Sequence, residues 1–198
     1  MRHIIVKDTM KNKLTFPAIA TLETKDLILR AICPDDAEAY FALCSDLEVM
    51  KTWGTEPHQS IEDTRKLIAF LEEAHASEVM IRWAITVKGS DRLVGDVGFW
   101  RFVKERSRAE VGAKLAKVYW SGGFMTQALG AVVQFGFEQM NLHSVEANVD
   151  PVNRGALRLV EKVGFVQEGL IREHSYDGFA GKFVDTALFS ILSPRRPV

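Results

Sequence analysis

The stretch "AEVGAKLAKVYWSGGFMTQALG", residues 109–130, changes its hydrophobic period and has two adjacent glycines at the change. Its first eight residues alternate in polarity, which is typical of a β-strand, whereas the residues after Gly123 place apolar side chains on one helical face. We therefore predict a strand over 109–116, a loop, and a helix that runs to about Met140. A second short strand, "SVEANV" at 144–149, completes a strand–helix–strand crossover.

The rest of the chain has the patterns of further strands and helices. Strands are predicted at 27–32, 81–87, 92–102, 165–173 and 182–192, and helices at 35–50, from Ser60 onward and at 153–163, the last ending at Gly164. The order predicts an α/β (mixed α+β) fold with a largely antiparallel meander before the crossover. Residues 1–21 are poorly patterned and are treated as an N-terminal extension, and residues 22–198 as a single domain.

The glycine pair Gly122–Gly123 lies where a predicted strand turns into a predicted helix. The first turn of a helix has four backbone N–H groups without intrahelical partners, and these groups, together with the helix dipole, favour a bound anion. No "GK[ST]" follows, so the loop is not a P-loop, and the three-glycine spacing of dinucleotide-binding proteins is absent. From the residues alone, an ordinary turn and an anion site both remain open.

Composition limits the classes of function. The chain has 198 residues and a formal net charge of -1, so no overall basic field favours nucleic acid. The two cysteines, Cys33 and Cys44, are too few for a disulfide scaffold and lack the spacing of a zinc site, and they favour a reducing, cytoplasmic environment. No apolar run approaches the length of a membrane span. We expect neither a metal, nor nucleic acid, nor a membrane among the partners.

Two later motifs, "DPVNRGALRLVEKVGF" (150–165) and "EGLIRE" (168–173), carry a specific resemblance when they are taken with 109–130. Together they resemble the acetyl-CoA-binding core of the GCN5-related N-acetyltransferases (GNAT), in particular the RimJ/RimL-like branch. "LILRAICPDDAEAYFAL" resembles the N-terminal strand and helix of that branch, so the similarity covers roughly residues 22–192. It implies a GNAT fold, a central, mostly antiparallel sheet whose two middle strands splay apart around the acetyl-pantetheine arm.

The resemblance also implies binding residues for acetyl-CoA, the expected co-substrate. The "WSGGFMT" loop corresponds to the family's pyrophosphate loop, with Gly123 at its central glycine and Met125 where a small residue is usual. Lys114 begins the strand segment beside the pantetheine, and Asn153 matches an asparagine at the cofactor arm, although a helix N-cap explains it equally well. The implied set is Lys114, Leu115, Ala116, Trp120, Ser121, Gly122, Gly123, Phe124, Met125, Thr126 and Asn153.

Glu110 is the predicted general base. It lies on the strand beside the implied cofactor, on the face opposite the apolar side chains, where the RimJ/RimL-like pattern also has an acidic residue. A solvated strand charge is the alternative. Asp96, His174 and Asp185 have weaker support as bases. Ala156 stands where many relatives have a serine, so no general acid is assigned, with Tyr119 and Tyr176 left open as replacements.

The expected reaction is acetyl transfer to a primary amine by direct attack, without a metal or covalent intermediate. An α-amino group is neutral at pH 7 far more often than a lysine side chain, which favours a peptide N-terminus or a small α-amine. An aminoglycoside or polyamine acetyltransferase is the alternative, and a catalytically weak acetyl-CoA sensor is a third reading. Trp53, Trp83, Phe99 and Trp100 are either acceptor-site or core residues. Family analogy is compatible with a homodimer.

Overall fold

A computed structural model describes residues 13–179 and 181–194. Its sheet has eight strands, which are β1 (Leu22–Glu23), β2 (Leu27–Ala31), β3 (Ile81–Val87), β4 (Leu93–Val103), β5 (Arg108–Leu115), β6 (Ser144–Val149), β7 (Val166–Asp177) and β8 (Lys182–Leu192). They are ordered β1-β2-β3-β4-β5-β6-β8-β7 across the sheet. The predicted mixed α/β fold is confirmed.

Within the described residues, five α-helices flank the sheet: α1 (Ala37–Cys44), α2 (Leu47–Trp53), α3 (Ile61–Ala76), α4 (Phe124–Glu138) and α5 (Arg154–Val163). The helix after Ser60 is confirmed, and it begins with a capping box in which Ser60 and Asp63 bond each other's backbone N–H groups. The helix predicted at 153–163 is also confirmed, and Gly164 ends it in the left-handed conformation with φ 106°.

The prediction of a single helix over 35–50 is wrong, because the structure has two helices there. α1 ends at Cys44, and the Oδ1 atom of Asp46 accepts hydrogen bonds from the backbone N–H groups of Glu48 and Val49. An aspartate that caps a new first turn offers the backbone an alternative to continuing the old helix. α2 therefore runs to Trp53, into the segment that the pattern predicted to be a loop, and brings Trp53 towards the sheet.

The sheet is antiparallel except between β5 and β6. These two strands pair in parallel over only three residues each, Arg108–Glu110 with Ser144–Glu146. Beyond Glu110, β5 continues beside β4, and beyond Glu146, β6 continues beside β8. The two middle strands therefore diverge and leave a V-shaped gap, as the resemblance implied.

Each face of the sheet is covered by its own set of helices. The larger apolar core lies under α4 and α5 and includes Trp83 and Phe99, which are fully buried. The smaller core lies under α1, α2 and α3 and includes Tyr40 and Cys44. Because side chains alternate along β5, Val111 and Leu115 face the larger core while Glu110 and Lys114 face the helices on the other side.

The predicted N-terminal extension, residues 1–21, is described only from residue 13 onward, and residues 1–12 lie outside the described residues. Leu14, Phe16 and Ile19 pack against the larger core. The Ala20 carbonyl accepts a hydrogen bond of 2.8 Å from the indole N–H of Trp83. These contacts attach 13–21 to the body of the fold, while the division at residue 22 stays a prediction.

Candidate active site

The gap between β5 and β6 exposes backbone groups of β5. Ala116 donates its N–H to the Val94 carbonyl of β4 at 2.8 Å. Backbone N–H and C=O groups reverse direction from one residue of a strand to the next. Even-numbered residues of β5 therefore direct these groups towards β4, as Ala116 does. The N–H and C=O of Val111 and Ala113 point the other way, into the gap. Such an edge can pair with an extended ligand that carries amide groups.

The predicted binding segment Lys114–Ala116 lies at the open end of this gap. The Leu115 carbonyl accepts a hydrogen bond of 2.7 Å from the indole N–H of Trp120, and the Ala116 N–H is engaged with β4. The backbone groups of Val111 and Ala113 lie nearer the closed end of the gap. The binding role of Lys114–Ala116 stays a prediction. The Lys114 side chain is buried on the opposite side of the strand from the larger core.

The glycine pair ends a loop that turns the chain directly into α4. Ser121 and Gly123 both have positive φ, 63° and 77°. Gly123 is the N-cap of α4, and no side chain in the described part of the chain caps this helix. The N–H groups of Phe124, Met125 and Thr126 therefore form an open first turn, which is a geometry that fits a phosphate group.

Two apolar side chains at the start of α4 pack against the larger core. Met125, where the resemblance implies a small residue, is one of them. Phe124 also packs there and meets Tyr119 edge to face, with ring centroids 5.8 Å apart. Gly122 is exposed, and a Cβ there would lie 3.0 Å from the Phe124 ring. Thr126 is half-buried in the first turn.

Asn153 is an N-cap in this structure. Its Oδ1 atom accepts a hydrogen bond of 3.0 Å from the Ala156 N–H at the start of α5. One of the two readings of this residue, as a helix cap, is thus observed, and its role at the cofactor arm stays a prediction. Ala156 itself packs half-buried against the larger core.

Glu110 lies where β5 and β6 begin to part. Its side chain is 10% exposed and forms an ion pair with Arg101, whose Nη1 atom lies 3.0 Å from its Oε2 atom. Arg101 reaches this position from a β-bulge between Trp100 and Val103, and its own φ is 50°. Across the strand pair, Glu146 of β6 is the register partner of Glu110 and is bonded by Arg108.

A buried charged cluster lies beside Glu110 on the same face of the sheet. Asp96 is fully buried and forms ion pairs with Arg82 and with Lys114, the latter at 3.3 Å, and it accepts a hydrogen bond from the Tyr40 hydroxyl. Burial alone would raise the pKa of Asp96, but the two cations and the hydroxyl hold it below its ordinary value. Burial raises the pKa of the adjacent Cys44 thiol to about 11.

An aromatic wall, Trp53 with Trp100, covers this cluster. The two rings meet edge to face at 5.7 Å, and the Arg82 guanidinium lies 5.3 Å from the Trp53 ring and 5.4 Å from the Trp100 ring. A Cβ on Gly112 would lie 2.2 Å from the Trp100 ring, so glycine is required for the wall to rest on β5. Trp83 and Phe99, in contrast, are core residues on the other face.

The weaker base candidates lie in different places. The Asp96 carboxylate forms ion pairs with two cations, Arg82 and Lys114. Asp185 accepts a hydrogen bond of 3.0 Å from the Glu173 N–H in the β7–β8 hairpin. His174 is exposed on β7. Tyr176, left open with Tyr119 as a general acid, packs against Phe183 with ring centroids 5.3 Å apart.

The described ranges, 13–179 and 181–194, hold neither a candidate metal cluster nor a candidate membrane-spanning helix. They contain no group of three or more His, Cys, Asp or Glu side chains that could hold a metal ion. They also contain no helix that is long and apolar enough to cross a membrane.

The parting middle strands leave a gap that can hold an extended ligand, with an open helix turn beside it and a carboxylate at its closed end. A family profile described as an acetyltransferase (GNAT) domain matches residues 26–166. The chain belongs to the GNAT acetyltransferase family, and it is an N-acetyltransferase that uses acetyl-CoA as co-substrate and an amine as acceptor.

Individual relatives agree with this assignment. The chain is 36% identical over 174 residues to YoaA of Bacillus subtilis, named an uncharacterized N-acetyltransferase, with 88% of this chain and 97% of YoaA covered. It is 24% identical to a spermidine N(1)-acetyltransferase of Vibrio cholerae, over 85% of this chain and 94% of that protein.

Solved structures share the fold. A GNAT-family acetyltransferase from Bacillus anthracis superposes with a TM-score of 0.78 at 26% identity, covering 88% of this chain and 99% of the other. The ribosomal-protein-S5-alanine acetyltransferase from Vibrio fischeri superposes with a TM-score of 0.77 at 22% identity, covering 90% and 100%.

Proposed function

We propose that this enzyme belongs to the RimJ/RimL-like branch and acetylates the α-amino group of a peptide or protein N-terminus. In this proposal the open first turn of α4, from Phe124 to Thr126, holds the pyrophosphate of coenzyme A. The backbone of Val111 and Ala113 pairs with the pantetheine amides in the gap. The acetyl group then lies near the closed end of the gap, within reach of Glu110.

For acetyl transfer, the protein mainly has to align the amine with the thioester and accept one proton. The thioester supplies an electrophilic carbonyl carbon. A neutral amine attacks that carbon, a C–N bond forms, and the C–S bond breaks with the electron pair leaving on sulfur. The nitrogen loses one proton, which Glu110 accepts directly or through water, and this proton can return to the thiolate to give coenzyme A as a thiol. A backbone N–H in the gap polarises the carbonyl.

The single observation that supports an α-amine over a polyamine is the pairing of the carboxylates around the gap. Glu110 is paired with Arg101 and Glu146 with Arg108, while Asp96 is paired with two cations. A polyamine brings at least one further ammonium group, and that charge needs a carboxylate that is not already neutralised. An acceptor with a single amine does not.

A panel of amines tests this proposal. Release of coenzyme A thiol is measured with alanyl- and seryl-starting peptides, the same peptides with a blocked N-terminus, spermidine and an aminoglycoside. We expect turnover with the free peptides, none with the blocked ones, and a kcat/KM for spermidine at least tenfold lower. Preference for spermidine would refute the acceptor class and favour the activity named for the Vibrio cholerae relative. Acetyl-CoA binding without turnover of any amine would favour a sensor.

A further inference from the structure

The side chain of Asn148 on β6 has a buried oxygen atom, Oδ1, without a hydrogen-bond donor among the described residues. Within residues 13–179 and 181–194, its Oδ1 is the one buried side-chain nitrogen or oxygen atom without a hydrogen-bond partner. Native proteins pair nearly all such atoms, and leaving one unpaired lowers stability. An unpaired acceptor in a binding cleft is accounted for when a ligand supplies the missing donor.

The position of Asn148 is beside the gap and on the acceptor face. Glu110 and Glu146 are register partners, so their side chains lie on the same face of the sheet. Asn148 is two residues beyond Glu146 and therefore shares that face. It lies in the part of β6 that no longer pairs with β5, since the parallel ladder ends at Glu146.

Across the gap, the position level with Asn148 is Gly112. This residue has no side chain, and the Trp100 and Trp53 rings occupy the space above it. A group that enters from this face therefore meets an aromatic wall on one side, the Glu110 carboxylate towards the closed end, and the Asn148 carboxamide on the β6 side.

We infer that Asn148 binds the acceptor, with its Oδ1 accepting a hydrogen bond from an N–H of the attacking amine. A neutral primary amine has two N–H groups and one lone pair. When one N–H is bonded to Asn148, the direction of the lone pair is restricted, and the remaining N–H can lose its proton to Glu110 during attack. Asn148 is thus a specificity-determining residue for amines. The inference rests on the proposed transfer to an amine at this gap.

The experiment compares Asn148→Leu and Asn148→Ala with the wild-type enzyme, and Gln167→Leu on exposed β7 is the matched amide-to-aliphatic control. Kinetics use whichever amine of the panel has the highest kcat/KM, so an error in the acceptor class is not mistaken for an error about Asn148. Affinity for coenzyme A is measured by calorimetry, and Tm without ligands is measured for each variant. The smaller alanine variant keeps the test valid if leucine does not fit.

We expect kcat/KM for the amine to fall about tenfold or more, as for the loss of one hydrogen bond. Coenzyme A affinity should be unchanged within twofold, and Tm of the leucine variant should be equal to or above that of the wild type, because the unpaired atom is gone. Unchanged amine kinetics would overturn the inference. Weaker coenzyme A binding with unchanged amine KM would also overturn it and assign the donor to a pantetheine amide. A lower Tm that accounts for the lost activity would show a structural role.

Discussion

Glu110 of β5 and Glu146 of β6 are the last register partners before the two middle strands separate. Each carboxylate is bonded by an arginine, Arg101 for Glu110 and Arg108 for Glu146. The Glu110 side chain is 10% exposed and that of Glu146 is 26% exposed, so the first is the more enclosed of the two. The closed end of the gap thus holds two carboxylates on one face, beside the backbone that is free to pair with a ligand.

Replacing Glu110 with glutamine removes the proposed base and keeps the shape of the side chain. We expect kcat/KM for the amine to fall by roughly 10²–10⁴-fold, which is the usual contribution of a general base. Affinity for coenzyme A should not change, because the proposed cofactor contacts are made by other groups. Steady-state kinetics over a pH series, together with calorimetry of coenzyme A binding, measure both effects.

Glu105→Gln is the control for this prediction, since Glu105 is exposed in the turn between β4 and β5 and should leave both quantities unchanged. If Glu110→Gln kept the wild-type rate and the wild-type pH profile, Glu110 would not be the base.

Gly123→Ala tests the first turn of α4. Gly123 has a φ of 77°, and an added Cβ would meet no atom within 4 Å, so the cost of alanine comes from the left-handed backbone alone. That cost is about 1–2 kcal/mol, and any relief of it would turn the N–H groups away from the anion. We expect the free energy of unfolding to fall by that amount and the Kd for coenzyme A to rise about tenfold.

Gly130→Ala in the middle of α4 is the matched control, because a Cβ there also meets no atom within 4 Å. It should stabilise the protein by roughly 0.5–1 kcal/mol and leave coenzyme A binding unchanged. Equal effects of the two substitutions on binding would argue against a phosphate site at this turn.

Asp36, which lies away from the candidate active site, predicts how the free energy of unfolding depends on pH. Its carboxylate accepts two hydrogen bonds from Arg30, at 2.7 and 2.8 Å, and one from the Cys33 N–H at 2.9 Å. Burial opposes the charged form, but these bonds outweigh burial and hold the pKa of Asp36 below its ordinary value. The ionised Asp36 carboxylate therefore contributes its full stabilisation above the pKa of the unfolded chain, which is about 3.9. This stabilisation is lost as the pH falls through the lower pKa of the folded protein.

Asp36→Asn should accordingly lower the free energy of unfolding by about 1.5–3 kcal/mol at pH 7, measured by urea denaturation. The difference from the wild type should be constant between pH 7 and 5 and should shrink below pH 4. A difference that grew as the pH fell would contradict the assigned direction of the pKa shift.

Local patterns in the sequence predict much of this fold. The crossover, the glycine turn before α4 and the Gly164 cap each depend on residues close together in the chain, and the family resemblance adds the gap between β5 and β6. The contacts of Glu110 do not follow from such patterns. Arg101 reaches it because of a bulge in β4, and alternation along a strand does not reveal where an extra residue is inserted.

The buried cluster around Asp96 was missed for a related reason. It joins residues from α1, β3, β4 and β5, and only the register of the strands brings them together. A signal was present, since Arg82, Asp96 and Lys114 are charged residues within otherwise apolar strands, and such residues are buried only when they are paired.

A crystal structure of the wild-type enzyme with coenzyme A tests the proposed cofactor site most directly. We expect the pyrophosphate to lie within hydrogen-bond distance of the N–H groups of Phe124 to Thr126. We also expect the pantetheine to pair with Val111 and Ala113 and the thiol sulfur to lie at the closed end of the gap, near Glu110. Coenzyme A bound elsewhere, with the β5–β6 gap and the α4 turn unoccupied, would contradict the proposed site.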